Sequence, residues 1–140
     1  MPLFGRKPTG NDIEELHLVA AILATCGDDP RSKSLFEQYA LAKMRNRRQT
    51  PDGFTVEPGG KLDKDLVVDL GQDVASEWVA VHDTATKTAL EFRIVLHQGG
   101  RFGALEGRAP GGSWPESWRL DAVELAQSAR GCLELPPAPG

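Results

Sequence analysis

The chain is poor in the residues that most often do chemistry: two cysteines, three histidines, two methionines and one tyrosine in 140 residues. Cys26 and Cys132 are far apart and show no Cys-x-x-Cys or Cys/His spacing, which sets aside the common zinc and dithiol motifs. They read as two reduced, buried small hydrophobes, because spacing alone does not decide a bridge. His17, His82 and His97 fall on separate predicted elements, so no metal and no cofactor is expected. Asp63, Asp65, Asp69 and Asp73 resemble a carboxylate series, but Leu66-Val67-Val68 breaks the alternation a calcium loop needs. Long apolar runs are missing too. The longest, Leu18 to Ala24, is far short of the roughly 20 residues that cross a bilayer. The opening MPLFGRKPTG is too short and polar for a signal peptide, and a cytoplasmic protein is the expectation. No Walker pattern and no nucleophile elbow is present, and the glycines from Gly99 to Gly112 lack the helix of a phosphate loop. Catalysis is not where these absences point.

What is present suits one globular domain: 40% hydrophobic and 26% charged residues, in a length that can bury a core without staples. The net charge of −4 is uneven. Residues 1–50 carry eight Lys/Arg against six Asp/Glu, and residues 51–140 carry eight against fourteen, so the halves are +2 and −6. An acidic second half is a poor platform for a polyanion.

Periodicity orders the elements. Residues 1–10 read as a flexible leader. Asn11 with Glu14 fits a capping box, and Ile13, Leu16, Leu18, Val19, Ala20, Ile22 and Leu23 make a helix apolar nearly all round, which belongs inside a core. Gly27 ends it; Asp29 and Pro30 start a second helix, expected to run to about Gln49 with Lys43, Arg45, Arg47 and Arg48 in its last turns. Thr50-Pro51-Asp52-Gly53 is a turn and an element boundary. The period then becomes two, predicting strands at Phe54–Val56, Asp65–Leu70, Glu77–Thr84, Thr88–Gln98 and Arg101–Glu106, with Gly99-Gly100 as a hairpin turn. That pairing sets His82 opposite Ala89 and His97 opposite Phe102. Asp121 and Glu124 cap a short last helix, and Leu133–Leu135 reads as an edge strand before a Pro-rich tail at 136–140. The fold class is α+β: two N-terminal helices packed on one face of a four- to five-stranded antiparallel sheet, with a short C-terminal helix, in a single domain over 11–135.

Trp114 and Trp118, around Pro115, are the most unusual local feature. Such residues plug a core or meet a partner. A sheet face expected to be open presents Trp78 or Val79, and Val95; Trp78, Val95, Arg45, Arg47 and Arg48 join the two loop tryptophans as the candidate binding residues. The reading that follows is a non-catalytic interaction or regulatory domain, of the adaptor, immunity or chaperone-like kind, whose partner is a second copy in a homodimer or another protein. The alternatives are a small-molecule pocket protein or small enzyme, and a nucleic-acid binder using the basic end of the second helix, the last disfavoured by charge. As solvated side chains, Arg47 and Arg48 should tolerate joint replacement by alanine at a cost within about 0.5 kcal/mol.

Overall fold

The computed structural model describes residues 10–138; the leader at 1–9 lies outside the described residues, and Gly10 is already helical. Helix α1 (Gly10–Ala24) and helix α2 (Pro30–Ala40) are followed by strands β1 (Met44–Thr50), β2 (Gly53–Gly59), β3 (Val74–Ala75), β4 (Val79–His82), β5 (Ala89–His97) and β6 (Arg101–Arg108), then helix α3 (Ala122–Ala129). All pairings are antiparallel. The order across the sheet is β1-β2-β6-β5, with β3 and β4 dividing the far edge of β5 between them.

Local chemistry places most of these elements. Gly27 takes φ +67° after α1, and the Asp29 side chain accepts from Arg31 N at the start of α2. The apolar positions of β5, namely Leu90, Phe92, Ile94 and Leu96, share one buried face with Phe54, Val56 and Leu105. Leu18, Val19 and Ile22 of α1 and Leu35 and Tyr39 of α2 close over that face. Gly100, at φ +85°, tightens the β5–β6 hairpin and brings the backbone against Val68, where a Cβ would stand 1.6 Å from the Val68 carbonyl oxygen.

Six expectations are corrected. Helix α2 stops at Ala40, with Leu41 N donating to Glu37 O at 2.8 Å, and Met44–Thr50 is strand rather than helix. The Thr50–Gly53 turn is therefore a hairpin between β1 and β2, not a helix–strand boundary. Arginine and glutamine favour helix by only tenths of a kcal/mol, and pairing with β2 along seven positions overrides that. Asp65–Leu70 is no strand: a single 3-10 turn at Lys64–Leu66 leads into irregular chain that buries Leu70. A β-bulge beside Val95 leaves Gly103 unpaired, so His97 faces Arg101 and Phe102 faces Leu96. Leu133–Leu135 forms no strand; Leu133 is buried in the core, and Cys132 O accepts from Glu77 N at 2.8 Å. The Glu14 carboxylate, assigned to a capping box, instead accepts from Leu120 N at 3.0 Å.

The hydrogen-bond parity of β1 follows from its neighbours. Ala109 N donates to Asp52 O at 2.9 Å, so the even residues of β2 turn their backbone toward β6 and the odd ones toward β1. Pro58, opposite Arg45, agrees: it has no N–H to give. Gly53, Thr55, Glu57 and Gly59 thus bond to Thr50, Arg48, Asn46 and Met44, while Arg45, Arg47 and Gln49 turn N–H and C=O outward. Gln49→Pro should accordingly leave stability nearly unchanged, whereas Arg48→Pro should cost about 1 kcal/mol or more through a lost ladder bond. Urea midpoints of the two variants check this; equal costs would refute the parity.

Candidate functional site

The two edges of the sheet are treated differently. On the β4 side, His82 N donates to a Glu124 oxygen at 3.2 Å, Thr84 N to Arg119 O at 2.8 Å, and Asp83 bridges to Leu120. The chain after β6 covers that edge. On the other side all seven residues of β1 are exposed, and among the described residues none pairs with its outer backbone. Open edges of this kind are templates for added strands.

The side chains of β1 alternate between faces. Arg45 and Arg47 turn to the helix side. Arg47 forms an ion pair with Glu15 of α1, approaches Asp12 at 3.9 Å, and lies 5.2 Å over the Phe54 ring. Glu15 is 1% exposed. Burial raises its carboxyl above the ordinary range, against the pull of the Arg47 hydrogen bond and charge. Arg45 stacks 5.5 Å over Tyr39, and its Nη1 donates to Tyr39 O and Ala40 O at 3.2 and 3.3 Å. Beneath them Tyr39 Oη is the one buried side-chain polar atom without a hydrogen-bond partner among the described residues. Burial, then the nearby Glu15 charge, pushes its hydroxyl upward. Arg48 points to the opposite face and pairs with Glu57 at 2.8 Å in open solvent. The three arginines are brought together, but on an edge strand and on both of its faces, not at a helix terminus.

The other candidates are dispersed. Trp114 and Trp118 are 8% and 4% exposed and form a four-ring cluster with Phe54 and Phe92, with centroids 4.9 to 6.4 Å apart. The helix-free sheet face is not an apolar surface. Val79 turns into the core, and Val95 is half-buried. Trp78 lies beneath the guanidiniums of Arg93 and Arg108, at 4.6 and 3.9 Å. Those arginines pair in turn with Glu106 at 2.6 Å and Glu91 at 2.5 Å, so a ladder of ions covers the ring. His82 Nδ1 meets Glu124 at 2.8 Å, while Asp83 faces inward and accepts from Thr86 Oγ1 and Arg119 N at 2.7 and 2.9 Å; the two make no dyad. Burial holds both thiols up, Cys26 to about 11, which keeps them protonated and unreactive. Among the described residues no three His, Cys, Asp or Glu side chains could hold a metal ion, and no helix is long and apolar enough to cross a membrane.

A cavity of about 450 Å³ opens where α2 ends, between Leu41, the Pro58–Leu62 segment, Leu66, His97 and Phe102. Its deepest polar group, the Gln38 amide, is already spent: it donates to Leu66 O and Gly100 O at 2.7 and 2.9 Å and accepts from Phe102 N at 2.7 Å.

Sequence reasoning missed Glu15 and Tyr39. Glu15 lies in a helix that reads as apolar nearly all round, and only an arginine arriving from a distant strand makes its burial tolerable. The chain matches no protein-family model, no curated protein and no solved structure.

Proposed function

We propose that this chain is a non-catalytic protein-interaction domain whose contact surface is the open edge at β1. The observation that carries the reading is the asymmetry of the sheet: one edge is covered by the chain's own C-terminal segment, and Met44–Thr50 is left exposed along its length. A protected edge beside an unprotected one fits strand addition by a partner. The tryptophans expected at a contact site are inside, and the helix-free face is closed by ion pairs, so neither competes with β1 as the contact surface. The basic residues suit nucleic acid less well, because Arg47 and Arg48 already have carboxylates beside them.

The test is cross-linking in native extract with the wild-type chain and with Gln49→Pro, which removes one outward N–H and leaves the bonds to β2. A partner trapped by the first and lost by the second supports the reading. A partner trapped equally by both removes β1 from it.

The second reading is a pocket protein, favoured by the cavity beside Leu41 and Phe102, whose size falls within the range of small-molecule sites. It stands second because the Gln38 amide is occupied within the protein. A small molecule retained in native mass spectrometry and displaced by Gly103→Leu, which fills the cavity wall, would move it forward.

A further inference from the structure

Resting on the reading of β1 as a docking edge, we infer that the segment it takes up is an acidic extended strand of a different protein, held at its carboxylate by Arg45. Between Ala42 and Pro51 the chain carries Lys43, Arg45, Arg47 and Arg48 and no acid. Two of these cations are matched from within, Arg47 by Glu15 and Arg48 by Glu57. Arg45 is not. Its Nη1 is fixed by two neutral carbonyls at the end of α2 and its plane by the Tyr39 ring, and among the described residues its Nε and Nη2 reach no acceptor. A guanidinium positioned by stacking and carbonyls, with donors left over, is prepared for a carboxylate. The Arg45 backbone also points outward, so a partner residue opposite it would lie on the same sheet face, with Cβ atoms about 5 Å apart. Main-chain pairing and charge pairing then meet at one residue.

Charge also separates the possible occupants. A second copy adding its own β1 would bring three arginines against three, with no acid on either strand, and like charges across a seam are unfavourable. The leader at 1–9 carries Arg6 and Lys7 and no acid, and offers no better match. An acidic strand from elsewhere completes the edge.

The experiment is fluorescence anisotropy on the full chain with two labelled strand-length peptides, one alternating valine with glutamate and the other valine with lysine. The glutamate peptide should bind at least about tenfold more tightly than the lysine peptide, with the difference shrinking in high salt. Arg45→Ala should weaken the glutamate peptide by about tenfold and Arg45→Lys by less, with Gln49→Pro abolishing binding. Urea midpoints establish that each variant is folded. Equal binding of the two peptides, lost in Gln49→Pro, would overturn the acidic assignment while leaving β1 as a docking edge. Binding indifferent to both substitutions, or no binding of either peptide at millimolar concentration, would overturn it too. So would outward amides of β1 that exchange slowly in the free chain and are released by dilution or by deleting residues 1–9, because a second copy or the leader would then hold the edge.

Discussion

Trp118→Ala is expected to lower stability by about 4 kcal/mol, a large share of what a domain of this size possesses. The indole stacks on Phe54 at 6.0 Å with a 24° interplanar angle, touches Phe92 at 5.3 Å, and meets Trp114 edge-on at 5.7 Å. Deleting it removes a large apolar area from the core and opens a cavity that three rigid rings cannot collapse to fill. The backbone has been shaped around this cluster. At Gly107 a Cβ would stand 2.3 Å from the Phe54 ring and 2.9 Å from Trp114, so the strand beneath the rings carries no side chain there. Trp118→Phe, which keeps an aromatic filler, should recover part of the loss. Urea denaturation followed by circular dichroism measures both. A change below about 1 kcal/mol for Trp118→Ala would mean that the ring is not in the core at all.

Arg47→Ala should cost about 2 to 3 kcal/mol at neutral pH, the lower side of what breaking a buried pair costs, because the guanidinium is 32% exposed. The loss comes from Glu15, left charged and 1% exposed without its counter-ion. The pH dependence identifies the cause. Burial raises the folded-state value of Glu15 above the ordinary 4.5, so its stabilising contribution is present below that value and is lost as pH rises through the raised one. Removing Arg47 raises the carboxyl further, and the penalty of the substitution should shrink as pH falls through the raised value and Glu15 takes up a proton. Arg48→Ala, at a side chain 74% exposed, should stay within about 0.5 kcal/mol at either pH. The expectation that both arginines are dispensable is therefore kept for Arg48 alone. A pH-independent cost for Arg47→Ala would exclude Glu15 as its origin.

Where sequence and structure agree, the signals were local. Asp29-Pro30, Asp121 and Gly27 are cap chemistry complete within a few residues, and Leu90, Phe92, Ile94 and Leu96 alternate along a strand buried on one face. The α+β class and the helix-then-sheet order follow from those. Met44–Thr50 was misread because nothing within the segment says strand. It has no β-branched residue before Thr50 and no apolar alternation, since a fully exposed edge strand buries neither face. Its partner is visible only across the hairpin. Asp65–Leu70 failed in the opposite way: its apolar run forms no strand, and among the described residues only Val68 N to Gly100 O at 3.3 Å and Gly99 N to Leu70 O at 2.9 Å tie its backbone to the β5–β6 turn. The candidate site was legible as composition, in the cluster of Arg45, Arg47 and Arg48. It was not legible as geometry, because Glu15 reaches it from a helix 32 residues away, and Tyr39 lies beneath it only once the chain turns from α2 into β1.

Amide hydrogen exchange along β1 in the free protein tests the open edge most directly. The amides of Asn46, Arg48 and Thr50, bonded to β2, should be protected, and those of Arg45, Arg47 and Gln49 should exchange close to the rate of an unstructured chain. Alternation with that phase is expected of a strand paired on one side only. Uniform protection across Met44–Thr50 would mean that the edge is already covered, and uniform fast exchange would mean that β1 is not part of the sheet.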